Sequence, residues 1–356
     1  MAELIKVFGK QPEEYRGIRY WNSNLIRFEG KEFLVSHNAV LTLITISSCN
    51  ASCKFCSNEI TFTPNGKYLK FDDYLKRIVS FAKLGGINKV AFSGGEPTAN
   101  PQALYDLFVS IVPYFPKSRI HTNGFGLLKK VKTVQGEEKI LLDALIECGL
   151  TGVSLSIGHF DDEINRNMMR FRGSWKGLSP IEIGEISSRN STKFQVRMSC
   201  VLTLAGIKNV EDIRKYIEWG HKFNIKYFIF RSPSWIPSEF AKETSVTRFN
   251  RLNHVDIDPI TAKLDTFSQF ERVFAEHKTD SHVHVYKYKK EITVDIDASS
   301  EEPDPDNKIR RLIVMPNTVA YKSWIDPHSN LFEDQTELAK FYARQELPEL
   351  GRVEIE

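Results

Sequence analysis

Three of the chain's five cysteines, Cys49, Cys53 and Cys56, lie within eight residues of one another. Thiolates at such short spacing are the usual ligands of zinc ions and of iron–sulfur clusters. A structural zinc site needs a fourth ligand, and neither of the other two cysteines resembles half of a zinc knuckle. The sequence therefore predicts a metal centre with three protein thiolates. A zinc ion completed by a distant histidine is the alternative.

A second candidate motif, Gly94-Gly95-Glu96-Pro97, follows a predicted strand at residues 89–93. Glycines have no side chain, so the backbone of such a turn can approach a ligand closely. The alternative interpretation is an ordinary turn between a strand and a proline. Because the cysteines also follow a predicted strand, at residues 40–46, the two motifs are expected at the same edge of a sheet.

The elements that would position these motifs alternate between strand and helix over residues 40–232. The predicted strands are at residues 40–46, 89–93, 118–121, 152–157, 194–202 and 226–230. Such alternation is typical of an α/β fold in which helices cover a parallel sheet. Six units instead of eight predict a partial (β/α)6 barrel, with ligands at the carboxyl ends of its strands.

Three parts are expected along the chain. Residues 1–39 form an N-terminal extension with a hairpin around Glu29-Gly30, and residues 40–235 form the partial barrel. Residues 236–356 form a C-terminal extension with a β-rich subdomain, because strand patterns reappear beyond residue 283.

The composition of the chain restricts the classes of protein to which it can belong. The 356-residue chain has 41% hydrophobic and 26% charged residues and a net charge of +3, which does not favour a nucleic-acid partner. No secretion signal is evident, and no window approaches the roughly 18 apolar residues of a membrane span, so no membrane partner is expected. An odd number of cysteines, three of them crowded together, is not a disulfide framework and predicts a reducing cytoplasm.

The spacing Cys49-x3-Cys53-x2-Cys56, with Phe55 before the last cysteine and the glycine motif at 94–97, resembles the signature of the radical S-adenosylmethionine (SAM) superfamily. The resemblance implies that three thiolates hold three irons of a [4Fe–4S] cluster, while the fourth iron binds SAM. It also implies that residues 94–97 bind the methionine part of SAM and that Phe55 contacts its adenine.

Two later segments, HTNG at 121–124 and VSLS at 153–156, resemble segments of the branch that includes the molybdenum-cofactor cyclisation enzyme. The alternative for both is an ordinary strand end. Ser156 stands where that branch has aspartate, so no role is carried over to it. By this resemblance three further residues contact SAM: Thr122, Asn123 and Ser154.

Charged residues in predicted buried strands are further candidates. Arg197 would need an anionic partner, either the SAM carboxylate or a substrate, unless it lies at a strand end in solvent. Arg231, after the last strand, is a candidate substrate contact. Cys200 and Cys148 are weak candidates for a catalytic hydrogen-atom donor. If Arg197 faces the barrel interior, the period of two places Cys200 on the opposite face.

The expected reaction follows from the resemblance. One electron cleaves SAM reductively, and the 5′-deoxyadenosyl radical abstracts a hydrogen atom from a small polar metabolite, such as a sugar, nucleotide or amino-acid derivative. A flavodoxin- or ferredoxin-type electron donor is implied. No cysteine follows Cys200 and only 39 residues precede the first barrel strand, so a single cluster and no peptide-recognition domain are expected. A maturase of a ribosomally made peptide and a non-catalytic metal-binding module are the alternatives.

Overall fold

The chain is described by a computed structural model that covers residues 4–7, 23–56, 68–233, 243–277, 281–299, 308–324 and 329–332. Within these residues the helices are α1 (Asp73–Leu84), α2 (Pro101–Ile111), α3 (Leu141–Glu147), α4 (Asp162–Met169), α5 (Pro180–Ser187), α6 (Val210–His221), α7 (Ser245–Leu252) and α8 (Ile257–Leu264). The strands are β1 (Leu4–Val7), β2 (Ser23–Phe28), β3 (Lys31–Ile44), β4 (Lys89–Ser93), β5 (Lys117–Thr122), β6 (Lys130–Lys132), β7 (Glu138–Ile140), β8 (Gly152–Ser156), β9 (Gln195–Val201), β10 (Tyr227–Arg231), β11 (Phe270–His277), β12 (Ser281–Tyr288), β13 (Ile292–Ser299), β14 (Ile309–Val314) and β15 (Ala320–Tyr321).

The six predicted barrel strands lie side by side in chain order, as β3, β4, β5, β8, β9 and β10, and each is parallel to the next. Helices connect them, so the predicted α/β class with a partial barrel is confirmed. Strand alternation separates the two faces of the sheet. In β9, for example, Met198 and Cys200 enter the helix-covered core, whereas Arg197 and Ser199 face the other side. We call this other side the concave face.

Two further strands extend the parallel run from six to eight. β13 pairs in parallel with β10 at one edge, and β14 pairs in parallel with β3 at the other. Beyond them, β12, β11 and β1 continue the sheet in antiparallel fashion, as does β15 next to β14. The predicted C-terminal part, 236–356, therefore contributes strands to both edges of the barrel sheet. The division of the chain into domains remains a prediction.

The N-terminal hairpin is formed by β2 and β3 around Glu29 and Gly30, whose φ angles of 51° and 77° suit a tight turn between antiparallel strands. β3 then continues without interruption through residues 39 and 40, so one strand serves both the hairpin and the barrel. The Glu29 carboxylate accepts a hydrogen bond of 2.6 Å from Nε of Arg77, which is buried in α1. This ion pair fixes the hairpin against the first barrel helix.

Several connections differ from the sequence prediction. The connection from β5 to β8 contains a short hairpin, in which residues 138–140 pair with residues 130–132 around a turn at Gly136, which has a φ of +86°, so α3 begins only at Leu141. The segment 245–277 holds α7, α8 and β11, which the sequence analysis did not predict. In the described part of the chain, no helix combines the length and the apolar character that crossing a bilayer requires.

Candidate active site

The cysteine loop, residues 47–56, follows the carboxyl end of β3. All three of its cysteines are reduced and half-buried, and the amide of Cys56 donates to the carbonyl of Cys53 at 3.1 Å. Phe55 is half-buried in this turn. Burial raises the pKa of Cys49 to about 12, although the amide of Ala51, 3.4 Å from its sulfur, acts in the opposite direction. A coordinated metal would deprotonate such a thiol.

The glycine turn after β4 packs directly on the cysteine loop. The amide of Gly95 donates to the carbonyl of Ile46 at 2.7 Å, and the amide of Glu96 donates to the carbonyl of Ser48 at 3.0 Å. A Cβ atom on Gly95 would lie closer than 3.0 Å to the carbonyl of Ser48, and Gly94 has a φ of +140°. The two glycines are therefore required for this approach of backbone to backbone.

The Glu96 carboxylate is buried at 1% exposure and points into the protein. It accepts hydrogen bonds from the amide and hydroxyl of Thr98, the hydroxyl of Thr122 and the amide of Asn123, at 2.5–2.9 Å. Burial raises the pKa of Glu96, and these hydrogen bonds act in the opposite direction. Pro97 begins the 3-10 turn that presents Thr98. Both carboxylate oxygens are thus engaged in joining the ends of β4 and β5.

The turn after β5 contacts the cysteine loop from a second side. Asn123 Nδ2 donates to Asn50 Oδ1 at 2.8 Å, and Asn123 Oδ1 accepts from the amide of Phe125 at 3.1 Å. The Thr122 hydroxyl accepts from the amide of Gly124 at 2.8 Å. The structure therefore brings Thr122 and Asn123 to the cysteines, with much of their hydrogen-bonding capacity used within the protein.

A third support of the cysteine loop comes from residues 168–172, at the carboxyl end of α4. The amides of Ser52 and Lys54 donate to the carbonyls of Arg170 and Met168 at 3.1 and 3.0 Å. The sulfur of Cys53 lies 3.7 Å from that of Met169. The sequence analysis missed this contact, because a pairing between two distant loops leaves no periodic pattern.

The remaining SAM-contact candidates lie on the concave face. His121, Ser154 and Arg197 are in register on β5, β8 and β9. Nε of half-buried Arg197 donates to the hydroxyl of fully buried Ser154 at 3.0 Å. Arg231, at the end of β10, pairs with Asp297 of β13 at 3.1 Å. Asp297 was missed because the sequence analysis assigned its strand to a separate subdomain.

The two weak hydrogen-donor candidates lie elsewhere. Cys200 is 1% exposed in the helix-covered core, and its thiol donates to the carbonyl of Gly158 at 3.3 Å. Cys148 follows α3 and precedes β8, so it lies at the amino-terminal edge of the sheet, opposite the cysteine loop. Neither thiol is placed on the concave face.

The donor set fits an iron–sulfur cluster better than a single ion. Among the described residues, no group of three or more Cys, His, Asp or Glu side chains is arranged to hold one metal ion. In a [4Fe–4S] cluster each thiolate binds a different iron, so the sulfurs need not converge on one point. Three reduced cysteines on a loop supported from three sides meet that requirement.

Comparison with known proteins gives a match to the family model of the Radical SAM superfamily over residues 43–178. The chain is 25% identical over 179 residues to a GTP 3′,8-cyclase of Pelotomaculum thermopropionicum, covering 46% of this chain and 51% of that protein. It is 29% identical over 136 residues to a PqqA peptide cyclase of Bradyrhizobium diazoefficiens, covering 38% of this chain and 32% of that one. The chain thus spans about half the length of the first relative and a third of the second.

Comparison with solved structures finds a likeness to Streptococcus suis SuiB. The likeness has a TM-score of 0.45 and 16% identity, covering 80% of this chain and 61% of SuiB. SuiB bound to S-adenosylmethionine gives a TM-score of 0.40 and 21% identity, covering 56% of this chain and 41% of SuiB.

Proposed function

We propose that this chain, whose residues 43–178 form a domain of the radical SAM superfamily, is an enzyme that acts on a small polar metabolite with one [4Fe–4S] cluster and SAM. When bound, these cofactors supply a reductive cleavage of SAM that yields methionine and a 5′-deoxyadenosyl radical, which abstracts a hydrogen atom from the substrate. The observation that carries the proposal is the cysteine loop beside a polar concave face. Sugars, nucleotides and amino-acid derivatives are the substrate classes that such a face suits.

In this proposal each group of residues has a different role. Cys49, Cys53 and Cys56 ligate the cluster, and the backbone of the glycine turn, already in contact with the cysteine loop, lies where the methionine part of SAM would bind. Ser154 and Arg197, hydrogen-bonded to each other on the concave face, orient SAM or substrate. Supporting side chains such as Glu96 hold the loops in place and do not exchange protons with substrate.

The electron is proposed to come from a partner of the flavodoxin or ferredoxin type, because SAM cleavage needs a one-electron donor of low potential. A second candidate function is the modification of a ribosomally made peptide. It is favoured by the likeness to a protein named PqqA peptide cyclase. A short precursor peptide encoded beside this gene, and modified by the chain in vitro, would support that candidate.

The test is anaerobic purification followed by iron and sulfide analysis and incubation with SAM and dithionite. We expect about four irons per chain and formation of 5′-deoxyadenosine. Single replacements Cys49→Ala, Cys53→Ala and Cys56→Ala should remove both. Cys200→Ala is the matched control and should retain both. Stoichiometric zinc without iron, or unchanged SAM cleavage in Cys49→Ala, would contradict the proposal.

A further inference from the structure

Three arginines from three different strands share the concave face. Arg197 is in register with Ser154 and so with His121, and Arg119 precedes His121 by two residues on β5. Arg231 is in register with Val201, four residues after Arg197 on β9. Because side chains two or four residues apart on a strand point to one face, all three guanidinium groups lie on the same side of the sheet.

Two of the arginines, Arg119 and Arg197, extend over the same strand, β8. A Cβ atom built on Gly152 of β8 would lie 3.3 Å from Nη2 of Arg119, so this guanidinium extends across the neighbouring strand, over a residue with no side chain. Nε of Arg197 is 3.0 Å from the Ser154 hydroxyl on that same strand. Burial, followed by the positive charges of Arg197, Arg231 and Arg119, holds the pKa of His121 well below its ordinary value.

The counter-charges come from β13. Asp297 lies 3.1 Å from Arg231, and Asp295, two residues earlier, shares its face. Burial, followed by the nearby Arg119 and Arg231, lowers the pKa of Arg197, and the two aspartates act in the opposite direction. Arginine stays protonated in proteins. This group of side chains therefore combines three positive with two negative charges, because the imidazole is neutral.

The opposite end of the concave face is apolar. Ile44, Ile313, Met315 and Tyr321 form a small buried cluster at the β3 and β14 edge. Ile313 is in register with Thr42, which shares its face of β3 with Ile44. Charge on the concave face is thus concentrated away from this edge, at β5 to β13.

We infer that the concave face binds an anionic group of the substrate, a carboxylate or a phosphate, between Arg119, Arg197 and Arg231. The planar guanidinium fork suits both oxyanions, because it donates two parallel hydrogen bonds to a carboxylate or a phosphate. The inference rests on the proposed function and narrows its substrate class to anionic metabolites. The carboxylate of SAM offers the same chemistry, so the experiment must separate the two sources.

The experiment is equilibrium dialysis of the full chain against labelled inorganic phosphate and, in parallel, labelled malonate, at constant ionic strength. We expect Arg119→Gln and Arg231→Gln to weaken binding of at least one anion by about tenfold or more, the effect of losing a hydrogen bond to a charged group. Arg231→Lys should retain part of the affinity. Arg214→Gln, a partly exposed arginine of α6 that pairs with Glu211, is the matched control and should bind like the unmodified protein. Circular dichroism checks that each variant is folded.

The affinity for SAM is measured separately on the cluster-loaded protein. It shows whether the arginines bind an anionic group of the substrate or the carboxylate of SAM. Binding of the probe in the presence of saturating SAM, with SAM affinity unchanged in Arg119→Gln and Arg231→Gln, supports a substrate site. Displacement of the probe by SAM, together with loss of SAM affinity in both variants, would overturn the inference.

Failure of the unmodified protein to bind either probe, or equal binding by the arginine variants, would also overturn it. Dialysis needs no cluster, whereas the proposed function is tested by 5′-deoxyadenosine formation. SAM cleavage without anion binding would therefore reject this inference alone, and anion binding without SAM cleavage would reject the proposed function alone.

Discussion

Glu96 and Thr122 meet where two neighbouring strands end, and the Glu96 carboxylate accepts a hydrogen bond from the Thr122 hydroxyl. Both side chains are at most 2% exposed. Glu96 also accepts from the amide of Asn123, whose side chain donates to Asn50 in the cysteine loop. One buried carboxylate thus connects the turns after β4 and β5, and through Asn123 it fixes the loop that carries the cysteines.

Replacement of this carboxylate should weaken the whole edge of the sheet. In Glu96→Gln the amide nitrogen would face a donor, leaving buried groups unpaired, and we expect the free energy of unfolding to fall by about 2–4 kcal/mol. Urea unfolding of the protein without its cluster measures the change. Glu138→Gln, on an exposed strand beside Lys130, is the control and should differ by less than about 0.5 kcal/mol. A loss below about 1 kcal/mol in Glu96→Gln would contradict the role given to Glu96.

The contact between the glycine turn and the cysteine loop can be tested at Gly95. Gly95→Ala would force the turn away from Ser48, and we expect a loss of about 2–3 kcal/mol of stability together with lower iron content after reconstitution. Gly184→Ala is the control, because this helical glycine has no heavy atom near the added Cβ. It should gain up to about 1 kcal/mol from helix propensity. Equal iron content in both variants would show that the loop tolerates displacement.

The order of the barrel strands could be predicted because each strand and the helix after it are adjacent in sequence. β4 shows the required signal as a short apolar run, KVAFS, and β9 shows it as an alternation of polar and apolar residues, QVRMSCV. The placement of β13 could not be predicted. Its alternating sequence, ITVDIDAS, indicates a strand. The same alternation is expected of a strand in a separate sheet and of a strand at the edge of the barrel. Only pairing with β10 shows that Asp295 and Asp297 face the arginines.

The candidate site was predictable to a similar extent. Cysteine type and spacing, and the pair of glycines after β4, are local features that a sequence displays directly. The support from Met168 and Arg170 depends on how α4 ends, with Arg170 in a left-handed conformation at a φ of 49°. No spacing rule connects that helix end to a loop more than 100 residues earlier, so the three-sided support of the cysteine loop required the structure.

The position of Cys200 makes a prediction about thiol reactivity. Burial raises the pKa of this thiol and excludes reagents, whereas Cys53 and Cys56 are partly exposed. In the folded protein without its cluster, we expect iodoacetamide to modify Cys200 on the order of a hundredfold more slowly than Cys53. Mass spectrometry of the labelled peptides measures the rates, and labelling in urea is the control in which the difference should vanish. Equal rates in the folded protein would place Cys200 at an accessible surface and would make it a candidate hydrogen-atom donor.

His121 should make the stability of the protein depend on pH. Burial and the neighbouring Arg197, Arg231 and Arg119 hold its pKa well below 6.5, the ordinary value. The unfolded chain binds a proton below that pH while the folded chain does not, so the stability present above pH 6.5 is lost as the pH falls. Between pH 7.5 and 5.5 we expect the unmodified protein to lose about 1.4 kcal/mol more than His121→Gln, measured by urea unfolding. Parallel stability profiles for the two proteins would mean that folding does not lower the pKa of His121 and that the arginines lie farther from it.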